Sequence, residues 1–494
     1  MADKSKAAVA ADAEGEVINP NGLGLFQLTM MVITSTICAG IFSLCGDLAA
    51  GPANTGAVLI GWVVCFVGVY TLMSAFRGLS QARPDLTGGI YAYAAAGFGD
   101  FIGFNSAWGY WISACFSNVS FAILMFGALG YFFPVFGAGN NLVSFVCATV
   151  VIWVLSYLVS RGVKEAIALN TIVTIAKLVP LAFFVVAIPL LGKFSPDVFL
   201  QNFWGEPGGP GFWDQFVSTM IALVWVFTGI EGAVVVSGRA KYVRDVGRAT
   251  TRGFVSVFVL YLFISILSMG VVPRPEMAEL ASPSMAGVFE AAIGPVGAAV
   301  INLGVILSLA GALLGYVIIC AQTPYDAAVQ GTFPKVFAKT NEHGAPVTTI
   351  YVSAAIMQLF LILAVVSNGT YQFFYTCAVN TILVPYVCSA AYYMMIGWRN
   401  QHLDGPLAPS RRSAQVMGTL SFIYTVFLVY TTGLEGVMVT TVTFLPGLVV
   451  YILGEKGRGK PVLPKAWDKI IAVLIVIGCI LSVYLQVSGI APVV

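Results

Sequence analysis

The sequence predicts an all-α polytopic membrane protein with about 12–13 transmembrane helices, two of them broken near their centres. Of its 494 residues, 59% are apolar and only 9% are charged, and the mean hydropathy is +0.90. Soluble domains carry roughly a quarter charged residues. Here apolar runs of about 20 residues, the length that crosses a bilayer, recur along the whole chain. A lipid bilayer is therefore the expected environment, and the net charge of +2 gives no indication of nucleic acid.

Thirteen apolar runs have the length and composition of membrane spans. They cover residues 25–48, 56–80, 103–132, 141–159, 165–191, 214–238, 252–272, 295–325, 347–367, 371–397, 413–432, 434–454 and 468–488. The division between the eleventh and twelfth runs, at Gly433 to Gly436, is the least distinct of these boundaries. Residues 1–24 are polar and lack an apolar signal segment, so we expect a disordered cytoplasmic tail.

Lysine and arginine residues fall in alternate loops, and this pattern orients the chain. With the N-terminus inside, the cytoplasmic loops contain most of them, including Arg83, Arg161 and Lys335. The opposite loops hold Lys193 and Arg274 and collect acidic residues instead. The sequence thus predicts a multi-pass protein of a bacterial cytoplasmic (inner) membrane, with a cytoplasmic N-terminus and an outer C-terminus.

Two of the spans are interrupted in the same way. The first contains TICAGIFSL (residues 36–44) and the sixth contains FTGIEG (residues 227–232). Interrupted helices five spans apart are the expected mark of an inverted repeat with the substrate site at the two breaks. The alternative is that these glycines only allow close helix packing.

An unwound turn within a membrane is tolerated where it lines a cavity. At the first break, the helix start offers free N–H groups to an anion, and these belong to Ala39, Gly40 and Ile41. Carbonyl groups near Thr36, and from Trp225 to Thr228, are expected to accept hydrogen bonds from an ammonium group. A site with both poles matches the head group of an α-amino acid.

Two ionisable residues lie deep within spans, where a charge is costly and marks a pathway or a partner. Glu231 is interpreted as a gate for a cationic substrate or as a protonatable coupling group; a structural hydrogen bond from a protonated carboxyl is the alternative. Lys177 is interpreted as a fixed cation that bridges span one to span five, or else as a pairing or snorkelling residue. Asp47 and Asp326 lie near span ends and are interpreted as interfacial.

Other spans supply polar and aromatic candidates for the wall of the site. On span three, Tyr110, Ala114 and Asn118 share one face because they are spaced four residues apart. Trp225 and Tyr316 offer aromatic faces suited to a cationic side chain, although aromatic residues in spans more often serve packing. The two histidines lie in loops and the cysteines lack metal-ligand spacing, so we expect no metal and no cofactor.

Several longer stretches resemble the amino acid–polyamine–organocation superfamily, and within it the basic amino acid antiporters of the bacterial arginine/ornithine type. They include AGIFSLCGDLA, WVFTGIEGAVVVSGRAKYVRDVGRAT and PSMAGV, and the similarity spans about residues 23 to 455. The resemblance implies a LeuT-type 5+5 inverted-repeat core with broken helices one and six over residues 25–397, formed by repeats 25–191 and 214–397. It further implies peripheral helices over 398–494. Related members form homodimers, which makes a homodimer an assembly to test.

The resemblance also implies roles for the residues at the two breaks. Ala39 and Gly40 match positions that contact the substrate carboxylate. Thr36, Trp225 and Thr228 match positions beside its α-amino group. In the family, the tryptophan acts as an inner lid over the bound substrate.

Further roles carry over from the same resemblance. Glu231 keeps the family's spacing of six residues from the lid tryptophan and matches a gating acid. Tyr110 matches a gate on the third helix, and Asn118 matches a contact to the substrate side chain. Lys177 matches the lysine that fills the sodium position in sodium-independent members. Ser113 and Ala114 match residues that line the substrate pocket in the family.

The expected function is sodium-independent antiport by alternating access, with a basic amino acid such as arginine exchanged for its product ornithine. Arginine antiporters commonly carry Trp where this chain has Tyr316, so citrulline, lysine, histidine or an amine product stays open as a substrate. A proton-coupled symporter or uniporter of cationic amino acids is the alternative. An enzyme is disfavoured because no loop could hold a catalytic domain, and a channel is disfavoured because no selectivity-filter motif is found.

Overall fold

The structure is a computed structural model that describes residues 10–11, 17–18, 22–86, 89–162, 166–231, 240–405, 408–459 and 461–490. Within the predicted tail it describes residues 22–24 and two short antiparallel strands, β1 (Ala10–Ala11) and β2 (Val17–Ile18). The rest of the tail, and residues 232–238 of the sixth predicted span, lie outside the described residues.

The described residues form eighteen α-helices. In chain order they are α1 Leu25–Thr36, α2 Gly40–Ala50, α3 Thr55–Ala82, α4 Ile90–Phe98, α5 Asp100–Phe132, α6 Leu142–Ser160, α7 Ala166–Leu190, α8 Pro196–Leu200, α9 Phe212–Phe227, α10 Val243–Met269, α11 Arg274–Ala278, α12 Ser284–Ile293, α13 Pro295–Val329, α14 Val347–Val366, α15 Tyr371–Arg399, α16 Arg411–Thr431, α17 Gly433–Arg458 and α18 Ala466–Val487. Two 3-10 helices, Pro134–Phe136 and Lys335–Ala338, lie in the connections.

Each predicted span overlaps a helix of the structure. Eleven helical segments in the described chain are long and apolar enough to cross a membrane, with α1 and α2 counted together. The other two predicted spans fall on α7 and α9, which contain shorter apolar segments. The boundary expected near Gly433 lies where predicted, because α16 ends at Thr431 and α17 begins at this glycine. The prediction of an all-α polytopic membrane protein is confirmed.

Both predicted helix interruptions are present. In span one, α1 ends at Thr36 and the helix resumes as α2 at Gly40. In span six, α9 ends at Phe227, and Gly229 then adopts a φ of +98°, which an α-helix cannot accommodate. The chain therefore unwinds at the middle of both spans.

A second feature recurs five spans apart and was not predicted. Before span three, the short helix α4 joins α5 through Gly99, which has a φ of +101°. Before span eight, the short helix α12 joins α13 through Gly294, which has a φ of +81°. Glycine adopts this left-handed backbone without steric cost, so each pair of helices can turn sharply at a single residue.

The core lies around α5. In the most apolar stretch of α5, 89% of the residues are buried within the protein, whereas in that of α18 only 17% are buried. Helix α5 packs most extensively against α13 and α15, and also against α4, α14 and α17. The helices α5, α13 and α15 therefore lie at the centre, whereas α18 lies at the periphery.

Candidate substrate site

The two helix breaks touch each other. The Ser35 hydroxyl, in the last turn of α1, donates a 2.8 Å hydrogen bond to the carbonyl oxygen of Gly229. A β-carbon added at Gly229 would lie 2.3 Å from the Ser35 carbonyl oxygen, well inside van der Waals contact. Glycine is thus required here twice, by its positive φ and by the close approach of the two chains.

Lys177 of α7 fills the first break. Its side chain is fully buried, and its ammonium donates to the carbonyl oxygens of Thr34 (2.9 Å) and Ile37 (2.7 Å). The hydroxyls of Thr34 and Thr174 are also hydrogen bonded, which adds a second link between α1 and α7. The predicted bridge from span five to span one is present, and it satisfies carbonyl groups that the break removes from the helix.

The carbonyl of Thr36 has a different partner from the expected one. It accepts a 3.0 Å hydrogen bond from the hydroxyl of Tyr261 on α10, and the Thr36 hydroxyl donates to the carbonyl of Val32. The sequence-based expectation was that this carbonyl group would face the ammonium of a ligand. In this structure the protein itself supplies the donor.

The start of α2 lies against the sixth span. Ala39 and Ile41 are fully buried, and a β-carbon added at Gly40 would lie 2.9 Å from Cδ1 of Trp225. The N-terminal turn of α2, where helix N–H groups lack intrahelical partners, therefore faces this tryptophan. The two breaks together place Ala39, Gly40, Ile41 and Trp225 in one buried layer.

A small cavity lies beside the second break. Six predicted site residues line it, namely Tyr110, Ser113, Ala114, Thr228, Glu231 and Tyr316. Two apolar residues that the sequence did not single out, Ile319 on α13 and Ile382 on α15, complete the lining. The walls thus combine phenols and aliphatic groups with a carboxylate.

Glu231 closes one end of this cavity. Its carboxylate accepts a 2.8 Å hydrogen bond from the hydroxyl of Tyr386 on α15, and the Tyr110 side chain is hydrogen bonded to it as well. Only 1% of Glu231 is exposed, and no residue in the described part of the chain forms an ion pair with it. We call Glu231, Tyr110 and Tyr386 the inner gate, since the predicted orientation puts them on the cytoplasmic side.

Aromatic rings cover the other end. The indole N–H of Trp225 donates a 2.8 Å hydrogen bond to the hydroxyl of Tyr371, and its ring stacks on Tyr375 with centroids 5.4 Å apart and an interplanar angle of 16°. We call Trp225, Tyr371 and Tyr375 the outer lid, since the predicted orientation puts Tyr371 and Tyr375 on the outer side of the cavity. The role of inner lid that the family resemblance implies for Trp225 stays a prediction. Phe121 of α5 lies beneath the outer lid. Its ring centroid is 5.9 Å from that of Trp225 and 4.8 Å from that of Tyr316, which it meets edge-on.

Asn118 lies between these layers on α5 but is not among the residues that line the cavity. It is fully buried, and its amide nitrogen donates only a long 3.7 Å contact to the sulfur of Cys320. Its side-chain oxygen has no hydrogen-bond partner among the described residues. Buried polar atoms are usually paired, so this oxygen is an available acceptor next to the cavity.

Sequence reasoning missed the contributions of α15 to both closures. Tyr371 and Tyr375 belong to the outer lid, Ile382 to the cavity and Tyr386 to the inner gate. These residues follow one another along a single helix over about 22 Å. Their aromatic and aliphatic side chains look the same in sequence as those that face lipid. The one signal is the stretch ILVPY (residues 382–386), which carries part of the family resemblance and contains Ile382 and Tyr386.

Known proteins are similar to this chain over most of its length. The model of the amino acid permease family matches residues 23–455. An arginine/ornithine antiporter of Pseudomonas aeruginosa is 39% identical over 470 residues, which cover 94% of this chain and 96% of the relative. An L-lysine transport protein of Corynebacterium glutamicum is 36% identical, over 94% and 96% of the two chains. An arginine/agmatine antiporter of Chlamydia abortus is 37% identical, over 88% and 90%.

These matches extend through both broken spans, the outer lid and the inner gate. The family model alone covers most of the chain, and three bacterial transporters align with nearly all of it. With eleven helical segments able to cross a membrane in the described residues, this multi-pass membrane protein belongs to the amino acid permease family.

Proposed function

We propose that the chain is an antiporter that exchanges a basic amino acid, arginine, for its metabolic product ornithine. The observation that carries the proposal is Glu231, a buried carboxylate at a small cavity with no cationic partner among the described residues. A buried charge without a partner is costly, and a guanidinium or ammonium group of a substrate would supply one. The arginine/ornithine antiporter of Pseudomonas aeruginosa supports the same pair of substrates.

The positions of the two poles support an α-amino acid. The N-terminal turn of α2, with Ala39, Gly40 and Ile41, offers N–H groups to a carboxylate, and Thr228 lines the cavity beside it. The side chain of the substrate would extend toward Glu231, where Asn118 has a free acceptor and Tyr316 an aromatic face. In this assignment one end of the ligand contacts the breaks and the other contacts the inner gate.

The two closures support alternating access. The cavity lies between the outer lid and the inner gate, and a substrate shifts the population of open states only through its differential affinity for them. If the protein can change between its outward-open and inward-open states only when the cavity is occupied, each substrate molecule that moves inward is coupled to one that moves outward. This coupling is what defines an exchanger.

Lys177 supports independence from sodium. Its ammonium already occupies the carbonyl groups of the first break, so a positive charge stands there without any bound ion. We place transport in residues 25–397, in a bacterial cytoplasmic membrane with the N-terminus inside, and treat a homodimer as the assembly to test. The slight burial of α18 supports a peripheral position for the helices after residue 398.

The deciding experiment measures labelled arginine uptake into sodium-free proteoliposomes, loaded with ornithine or left empty. Uptake into loaded vesicles alone is the expected result, because exchange requires a counter-substrate. Equal uptake into empty vesicles would replace the antiporter with a uniporter or a proton-coupled symporter. A pH gradient applied to empty vesicles, with either the inside or the outside acid, then distinguishes the uniporter from the proton-coupled symporter.

A second substrate is favoured by Tyr316, which lines the cavity edge-on to Phe121. The phenol adds a hydrogen-bonding hydroxyl to the wall, and relatives of nearly equal identity are named for lysine and for agmatine. Competition by unlabelled lysine, agmatine and citrulline in the same vesicles ranks these substrates against arginine. Stronger inhibition by lysine than by arginine would reassign the preferred substrate.

A further inference from the structure

Asp47 is a second acidic residue within a broken span, and it lies on the opposite side of the outer lid from Glu231. It is in α2, seven residues after Gly40, which corresponds to about 10 Å along the helix from the contact with Trp225. The sequence suggested only an interfacial position. In the structure Asp47 is half-buried among α2, α15 and the segment that precedes α12.

The carboxylate of Asp47 has a neutral partner. The side-chain amide of Gln372 on α15 donates a 3.2 Å hydrogen bond to Oδ1 of Asp47. The same amide nitrogen donates a 3.0 Å hydrogen bond to the Ser282 hydroxyl. No ion pair with Asp47 occurs among the residues that the structure describes. Arg274, a basic residue near this end of α2, donates instead to the carbonyl of Gly51. Among the described residues, Asp47 therefore has a neutral hydrogen-bond donor and no cationic partner.

The Asp47 carboxyl group lies next to the outer lid. Its donor Gln372 is the neighbour of Tyr371, whose hydroxyl receives the indole hydrogen bond of Trp225. A cation that reaches this carboxylate thus arrives at the lid, with the cavity and Glu231 on its other side.

The helix that carries Asp47, α2, is hydrogen bonded to its neighbours at several points. The Ser284 hydroxyl at the start of α12 accepts from the Gly46 amide (2.9 Å) and donates to the Ser43 carbonyl (2.9 Å). The link from Asp47 to α15 is the single amide hydrogen bond from Gln372. Separation of α2 from α15 would break this hydrogen bond and leave the carboxylate free to accept new donors.

We propose that Asp47 is an outer docking site for the cationic side chain of the substrate, shielded in the closed state by the amide of Gln372. The proposal rests on the proposed exchange of basic amino acids. A guanidinium or ammonium group replaces the amide as donor, and a guanidinium can do so with two parallel hydrogen bonds. Partial burial makes this attraction stronger than that of a surface carboxylate. The site thus concentrates cationic amino acids at the lid before they enter the cavity.

The test measures the KM for arginine separately at the two membrane faces. Outer KM is determined in intact cells and inner KM in inside-out vesicles, each with ornithine on the opposite side. For Asp47→Asn, which retains an acceptor for Gln372, we expect the outer KM to rise on the order of tenfold. The inner KM and kcat should change by less than about twofold, since the docking step is used from one side only.

Three further measurements separate docking from a structural role. Asp197→Asn removes an exposed acid from a loop on the same predicted face, and should leave the outer KM unchanged. Asp47→Glu keeps the charge and should restore most of the affinity. Raising the ionic strength should increase the outer KM of the wild type and have little effect on Asp47→Asn, because salt screens the attraction. Size-exclusion elution in detergent establishes that each variant is folded.

The outcomes separate this inference from the proposed function. Absence of ornithine-dependent arginine uptake by the wild type would remove the proposed exchange and this site with it. Normal exchange by the wild type, together with an unchanged outer KM in Asp47→Asn, would remove the docking site alone. Equal increases in KM at both faces would also overturn it, since they indicate a structural role for the hydrogen bond to Gln372.

Discussion

The break in span one and the break in span six lie at the middle of their spans but have different partners. In span one the carbonyls of Thr34 and Ile37 accept from the ammonium of Lys177, so a cation fixed to the protein compensates the break. In span six Gly229 contacts Ser35, and the residues that follow carry Glu231 into the cavity without a cationic partner in the described chain.

The difference indicates a division of labour between the breaks. The first is already satisfied within the protein, as expected of an element that holds the backbone of the site in place. The second keeps an uncompensated carboxylate at a cavity, as expected of an element that responds to a ligand. Substitutions at Lys177 should therefore affect both stability and transport, whereas substitutions at Glu231 should affect transport alone.

Lys177→Ala is expected to have the largest effect on stability, together with a loss of transport. It leaves two buried carbonyl groups without their donor, each at a cost of about 1–3 kcal/mol. We expect a lower midpoint of thermal unfolding in detergent and at least a tenfold loss of exchange in proteoliposomes. Lys193→Ala, at an exposed lysine, is the matched control and should change neither quantity. Unchanged transport in Lys177→Ala would show that the ammonium only fills space.

Glu231→Gln is expected to slow exchange by about 100-fold, since a hydrogen bond to a charged group contributes about 1.5–3 kcal/mol. The amide still accepts from the Tyr386 hydroxyl, so the midpoint of thermal unfolding should stay near that of the wild type. Glu276→Gln, at an exposed position of α11, is the matched control for the loss of a carboxylate. A wild-type exchange rate in Glu231→Gln would leave the second break without the proposed role.

Gly229→Ala tests whether contact between the two breaks is required. Both Gly229 and Gly331 have positive φ values, +98° and +85°, so alanine at either position costs about 1–2 kcal/mol in backbone strain. Only at Gly229 does the new β-carbon collide with another segment, the carbonyl of Ser35; at Gly331 nothing lies within 4 Å. We therefore expect a larger drop in unfolding midpoint, and a loss of exchange, for Gly229→Ala than for Gly331→Ala. Equal drops would mean that the breaks separate at little cost.

Much of this comparison could be predicted from the sequence because it depends on rare residues. Long apolar runs specify spans, glycines within them specify interruptions, and a charge inside a span is unusual enough to single out Glu231 and Lys177. The helix boundary at Gly433 and the bridge from Lys177 to span one both lie where predicted. The roles of these residues in transport stay predictions.

The remaining parts of the site depend on helix rotation, which composition does not encode. Tyr371 and Tyr386 lie fifteen residues apart on α15, and only packing against α9 and α5 brings one to the lid and the other to the gate. Likewise, the donor to the Thr36 carbonyl is Tyr261, one of 20 tyrosines in the chain. Abundant residues of this kind acquire their function from tertiary contacts.

The smallest expected effect lies outside both breaks, at the end of α3. Arg83 holds Asp85 with two hydrogen bonds of 2.9 and 2.7 Å and donates a third, of 2.6 Å, to Tyr392 on α15. The guanidinium lowers the pKa of the Asp85 carboxyl below its ordinary value. Because the side chain of Asp85 is 58% exposed, solvent screening limits the pair to about 0–1 kcal/mol.

Asp85→Asn should therefore lower the unfolding midpoint slightly at neutral pH and leave exchange within about twofold of the wild type. A carboxyl with a lowered folded-state pKa stabilises the protein above its unfolded pKa, near 4, and this contribution is lost as the pH falls through the folded value. The difference between variant and wild type should shrink as the pH falls from about 4 through the folded value, and Asp404→Asn, at an exposed position, provides the control. A loss of exchange comparable to that of Lys177→Ala would instead extend the conformational machinery beyond the two breaks, to the contact between α3 and α15.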